Sequence, residues 1–116
     1  MTQPQLDTIE LSIQYAQKTV DNMKALQRLT NNRDFKTLVL SGYFEKEPVR
    51  LTMLKADPAM QTPENQAAII RDLDAIGQFR MYLNGVMQMG RMAEKAIKDD
   101  EAMREEILAE AAEGQA

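Results

Sequence analysis

The sequence contains no cysteine, no histidine and no tryptophan. The missing cysteine and histidine exclude disulfides, the usual zinc sites, thiol nucleophiles and imidazole general bases. A Ser-His-Asp triad is likewise impossible, and no GxxxxGK[ST] or GxGxxG run offers a phosphate loop. The acidic pairs lie one or two residues apart, so their carboxylates point to different sides of a helix. We therefore expect no catalysis, no metal and no cofactor.

Long apolar runs are also absent, and the first ten residues, MTQPQLDTIE, lack the basic-then-apolar order of a signal peptide. We expect a soluble protein with no membrane partner. The net charge is −4 over 116 residues, but residues 98–116 alone carry −5. The remaining residues are close to neutral, which does not favour a protein that binds nucleic acid through phosphate contacts.

What the chain does contain is helix-forming sequence. Apolar residues recur at alternating spacings of three and four through residues 6–30, as on the seam of a coiled coil. Short helices are predicted near 33–41 and 48–56, with Gly42 as a left-handed stop after the first of them. The run TPEN at 62–65 predicts the start of a long helix that extends to about residue 112.

These elements predict an all-α fold: a helical hairpin of two long helices, with the two short helices capping one end. The core of that end should contain six apolar residues, Phe35, Leu38, Tyr43, Phe44, Leu51 and Leu54. We expect residues 1–97 to form the hairpin core and residues 98–116 to form an acidic tail continuous with the last helix. A helix of about 50 residues is too long for so small a domain to cover, so its end should project.

The stretch RMYLNGVMQMGRM, residues 80–92, puts four methionines and two glycines into this long helix. Methionine fills irregular gaps and suits adaptable binding surfaces, while glycine in a helix interior costs about 1 kcal/mol relative to alanine. One interpretation is a plastic core under the first helix, and the other is a face shared with a second chain. On the second interpretation Gly90, near the projecting end, faces a neighbouring chain.

The acidic end KDDEAMREEILAEAAE has a narrow apolar side. This segment is either a solvated helix end or a helix that docks in a groove of a basic partner. The candidate interface combines both stretches. Its residues are Met81, Gly85, Met87, Met89, Gly90, Met92, Met103, Ile107 and Leu108.

Two blocks, NRDFKTLVLSGYFEKEPVRLTMLKADPAM and IIRDLDAIGQFRMYLNGVMQMGRMAEKAI, resemble a group of small helical proteins encoded by tailed bacteriophages, often near structural genes. The resemblance covers residues 30–97 and carries over no catalytic or binding residue. It implies a virion component or assembly factor that contacts other protein chains, itself or phage structural proteins, in the host cytoplasm or in the virion. The alternative is a small phage inhibitor that binds and occludes a host enzyme or defence complex.

Overall fold

A computed structural model describes residues 2–114, and the all-α helical hairpin predicted from the sequence is confirmed. In chain order the elements are α1 (Thr2–Thr30), α2 (Arg33–Phe35), a π-helix (Lys36–Lys46), α3 (Glu47–Lys55), a 3₁₀ helix (Pro58–Met60) and α4 (Pro63–Gly114). No strand occurs among residues 2–114. The two long helices pack against each other, and the short helical region lies between them in the chain.

The chain divides into two compact units. The first contains the described residues up to Ala25 together with those from Val86 onward, and the second runs from Leu26 to Gly85. Both long helices contribute to both units. The first unit is therefore built from segments far apart in sequence, whereas the second is one continuous stretch.

Helix α1 begins at Thr2, four residues before the predicted start. Pro4 lies in its first turn, where a missing N–H leaves no helical hydrogen bond unmade. The predicted seam is the buried side of this helix: Ile9, Val20 and Met23 are buried within the first unit. The spacing of apolar residues at three and four thus selects the face that packs, as expected for an amphipathic helix.

The first unit is an antiparallel helix pair. Gly90 of α4 lies against Met23 of α1, and further along, Ser12 Oγ donates a hydrogen bond of 2.8 Å to Asp100 Oδ2. A methyl group added at Gly90 would lie 2.3 Å from the Cβ of Met23, far inside van der Waals contact. Only glycine permits the two helices to approach this closely. The expectation that Gly90 faces a neighbouring chain is therefore wrong, since its partner lies in the same chain.

The end of α4 lies beside α1, where the sequence predicted a projecting helix. Arg104 Nη1 and Glu10 Oε2 are 3.0 Å apart, and Met103 and Ile107 adjoin Thr8 and Ile9 across a groove. The prediction assumed that the rest of so small a domain could not cover a helix of this length. Instead the first half of α4 belongs to the second unit, which leaves α1 free to pair with the second half.

In the second unit the helix predicted to stop at Gly42 continues through it. Residues Lys36–Lys46 form a π-helix, which runs directly into α3, and no described glycine has positive φ. The N–H of Glu47 bonds the carbonyl of Gly42, five residues back, as a π-helix requires. A Cβ at Gly42 would lie 3.0 Å from the Thr37 carbonyl oxygen. Glycine at this position relieves crowding inside a wide turn and does not end a helix.

The core of the second unit is small. Leu51 of α3 packs with Ile69 and Ile76 of α4, and partly buried apolar side chains surround them: Tyr43, Phe44, Leu54, Met60 and Leu73. Four of the six predicted core residues are thus in place. Leu38 is not, because its side chain is 71% exposed, and Phe35 lies outside the cluster. On α3 itself, Val49 and Met53 are also exposed.

Side chains hold the connection into α4. Thr62 Oγ1 accepts a hydrogen bond from the Asn65 N–H at 3.2 Å and so caps α4 at the start that the run TPEN predicts. Gln66 Nε2 donates to the carbonyls of Lys55 and Met60, both at 2.9 Å, and so satisfies groups that the ends of the preceding helices leave free. No pattern in the sequence indicates this role of Gln66, because a glutamine on a helix is usually solvated.

We predict that Gly90→Ala lowers the free energy of unfolding by about 1–3 kcal/mol, because the new methyl group forces α1 and α4 apart. Gly85→Ala is the matched control on the same helix: a Cβ there meets nothing within 4 Å, so the better helix propensity should stabilise the protein by about 0.5–1 kcal/mol. Urea unfolding of both variants measures the difference. A gain in stability for both would mean that the helices do not need glycine to approach.

We also predict that Leu51→Ala costs about 2–5 kcal/mol, because this side chain is 2% exposed at the centre of the second unit's core. The same change at exposed Leu38 should alter stability by less than about 0.5 kcal/mol. Thermal melting followed by circular dichroism measures the loss of stability in both variants. Equal losses in the two variants would contradict the placement of this core.

Candidate interaction surface

The candidate interface residues of the first unit differ widely in exposure. Met89 and Met92 are 61% and 65% exposed, and Met103 and Leu108 about half. Two more, Met87 and Ile107, are half-buried, while Gly90 is buried against α1. The set predicted from the sequence therefore separates into side chains that pack inside the chain and side chains that remain available to another molecule.

In the second unit, Met81 and Tyr82 of α4 are largely exposed. Gly85 is half-buried, and a Cβ there would contact nothing within 4 Å. Unlike Gly90, it marks no close approach between helices. Three aromatic rings nearby, those of Tyr43, Phe44 and Phe79, pack against one another with centroids 5.5–6.3 Å apart, which leaves no room between them for a ligand.

Three exposed methionines of the first unit lie on one side of α4. Met89, Met92 and Met103 are separated by three and eleven residues, which are close to one and three helical turns. We call these three residues the methionine face. Ala96, exposed and four residues after Met92, falls on the same side. The face is long and its methionine side chains are flexible, as suits a surface that fits a partner helix, and exposed Asp99, seven residues after Met92, adds a negative charge on the same side.

The methionine face ends at a groove between α1 and α4. The groove holds about 390 Å³ and is lined by Pro4, Gln5, Thr8, Ile9, Met103 and Ile107. We call it the α1–α4 groove. Its lining is mostly apolar, with one amide and one hydroxyl as the polar side-chain groups. Met103 and Ile107 of this lining belong to the interface predicted from the sequence. The α1 residues of the lining do not, because the spacing of apolar residues along α1 does not show which of their neighbours border a groove.

Charge around this groove is strongly negative. Residues 2–17 together with 98–114 hold nine carboxylates and two basic side chains, a net of −7. Within these two segments Arg104 pairs with Glu10, and the other base, Lys98, makes no ion pair. The acids outnumber the cations that the chain itself supplies, so the field at this end attracts positive charge.

A smaller cavity of about 160 Å³ lies in the second unit, lined by Tyr43, Glu47, Leu51, Asp72, Ala75 and Ile76. Arg50 donates a hydrogen bond of 2.9 Å to Glu47 and thereby lowers the pKa of that carboxyl. The pair stabilises the fold above the carboxyl's unfolded pKa, and this contribution is lost as the pH falls through the lowered value. Both groups are solvated, so the effect is small.

Residues 2–114 bring together no group of three or more acidic side chains that could hold a metal ion. In the same range, neither long helix carries a stretch apolar enough to span a membrane.

Exposed apolar side chains also occur on α1, where the sequence analysis did not place a surface. Leu11 and Tyr15 are more than half exposed, and the Lys18 ammonium lies 5.8 Å from the centre of the Tyr15 ring. Their spacing of four residues puts them on one side of the helix. That spacing in the sequence would have been the signal for this second, smaller patch.

Comparison with protein-family models, with curated proteins and with solved structures found no match for the chain.

Proposed function

We propose that the chain is a non-enzymatic interaction protein that acts through helix–helix contacts. The observation that carries the proposal is the methionine face: three long, flexible apolar side chains on one side of α4, each at least half exposed. Burying such side chains against a partner contributes favourable free energy, since each exposed apolar side chain gains about 1.5–3 kcal/mol when fully buried. Methionine adapts its shape to the partner at low cost.

The setting we propose is a tailed bacteriophage, with the chain as a virion component or an assembly factor present in the host cytoplasm while particles form. This part of the proposal rests on the sequence resemblance of residues 30–97 alone. Assembly factors and particle proteins bind through shape and apolar contact and need no reaction centre, which agrees with the character of the methionine face.

The second candidate function is an inhibitor that occludes a host enzyme or defence complex. The net charge of −7 around the α1–α4 groove favours it. Enzymes that act on nucleic acid hold phosphates on basic surfaces, and an acidic helical pair is complementary to such a surface. Mass spectrometry of purified particles separates the two candidates, because a particle component is present at fixed stoichiometry and an inhibitor is absent.

We predict that Met89→Asp leaves the chain folded but removes its association with itself or with particle proteins. A carboxylate at the centre of an apolar contact must be desolvated without a partner, which opposes binding. Light scattering of the purified variant gives the mass, and co-sedimentation with particles gives the incorporation.

Met53→Asp is the matched control, since the same exposed residue type on α3 lies outside the methionine face. Circular dichroism should show that both variants keep the helical content of the parent chain. If Met89→Asp associates as the parent does, or if both substitutions impair association equally, the methionine face is not the contact surface.

A further inference from the structure

We propose that the α1–α4 groove is the docking site for a cationic amphipathic helix of a partner protein. The inference rests on the proposed function and adds to it the chemical class of the partner. It also names the part of the surface that recognises this class, at the end of the methionine face where Met103 belongs to both features.

The apolar part of the site is already formed by side chains of two helices. Pro4, Thr8 and Ile9 supply one wall from consecutive turns of α1, and Met103 and Ile107 supply the other from consecutive turns of α4. Beside the groove the two antiparallel helices are also joined by the hydrogen bond from Ser12 to Asp100 and by the ion pair of Arg104 with Glu10. A groove between packed helices accepts apolar side chains spaced one turn apart on a third helix.

The charge around the groove selects a positive partner. On the α1 side the first basic residue is Lys18, so residues 2–17 carry only the negative charges of Asp7 and Glu10. On the α4 side, Glu106 and Glu110 flank Ile107 within one turn, and the last turn of the helix contains no basic residue.

Other classes of ligand fit less well. A net charge of −7 repels nucleic acid and anionic membrane surfaces. A small-molecule site normally offers several polar groups that converge on the ligand, whereas only Gln5 and Thr8 line this groove with polar side chains. An amphipathic helix uses both properties at once, with apolar residues in the groove and lysines or arginines facing the acidic rim.

The test uses a labelled peptide of about 15 residues, long enough to form helix when bound, built from leucine and lysine in the i, i+3, i+4, i+7 pattern. A second peptide has the same composition in an order without helical periodicity. Fluorescence anisotropy with the full chain measures both affinities. We expect the patterned peptide to bind about tenfold or more tightly than the scrambled one, because only its apolar residues share a face.

Two variants of equal exposure then separate the groove from the rest of α4. Met103 and Leu108 are 51% and 50% exposed, but only Met103 lines the groove. We expect Met103→Gln to weaken binding of the patterned peptide by about tenfold, as removal of an apolar anchor does. Leu108→Gln should keep the affinity of the parent chain. A third variant, Glu110→Gln, should weaken binding and flatten its dependence on salt.

Three results would overturn the inference. Equal binding of the two peptides would show attraction by charge alone. Equal effects of Met103→Gln and Leu108→Gln would place the contact elsewhere on α4. A parent chain that is dimeric by light scattering and becomes monomeric with Met103→Gln would show that a second copy occupies the groove. None of these results concerns Met89→Asp, so the proposed function can fail or succeed independently.

Discussion

The contact between Gly90 and Met23 is the constraint on which the first unit depends. The two helix backbones approach so closely there that a single methyl group does not fit. Close approach brings the flanking side chains of α1 and α4 within reach of each other, including the polar bond from Ser12 to Asp100 and the ion pair from Arg104 to Glu10. The exposed ion pair contributes little stability by itself. Packing at the glycine positions the helices, and the polar contacts follow from that position.

The same glycine explains why the methionine stretch has two roles. Gly90 packs inward, yet Met89 and Met92, one and two residues away, are exposed. Neighbouring residues on a helix point about 100° apart, so a stretch rich in apolar residues cannot be wholly buried by one partner helix. The two interpretations of RMYLNGVMQMGRM are therefore not exclusive. Within the described residues, part of the stretch packs against α1 and part is exposed.

Much of the fold could be predicted from the sequence because it follows from local rules. The seam of α1 and the start and length of α4 follow from the spacing of apolar residues and from capping. The failures concern tertiary context. Leu38 has an apolar side chain of the kind found in cores, but it is exposed. Gly42 has the sequence context of a helix stop, but it lies inside a π-helix. A one-residue widening of the turn rotates every later side chain, which no periodicity rule anticipates.

The two units also differ in how far apart their contacting residues lie in the chain. In the second unit Gln66 bonds a carbonyl only 11 residues away, whereas in the first unit Glu10 and Arg104 are separated by 94 positions. Closing the longer loop costs about 2 kcal/mol more in chain entropy, since each doubling of loop length adds about 0.6 kcal/mol. Folding of the continuous segment shortens the effective loop before the chain ends meet. The second unit should therefore act as the folding nucleus, and the acidic, groove-bearing helix pair should be the last part to form and the first to open.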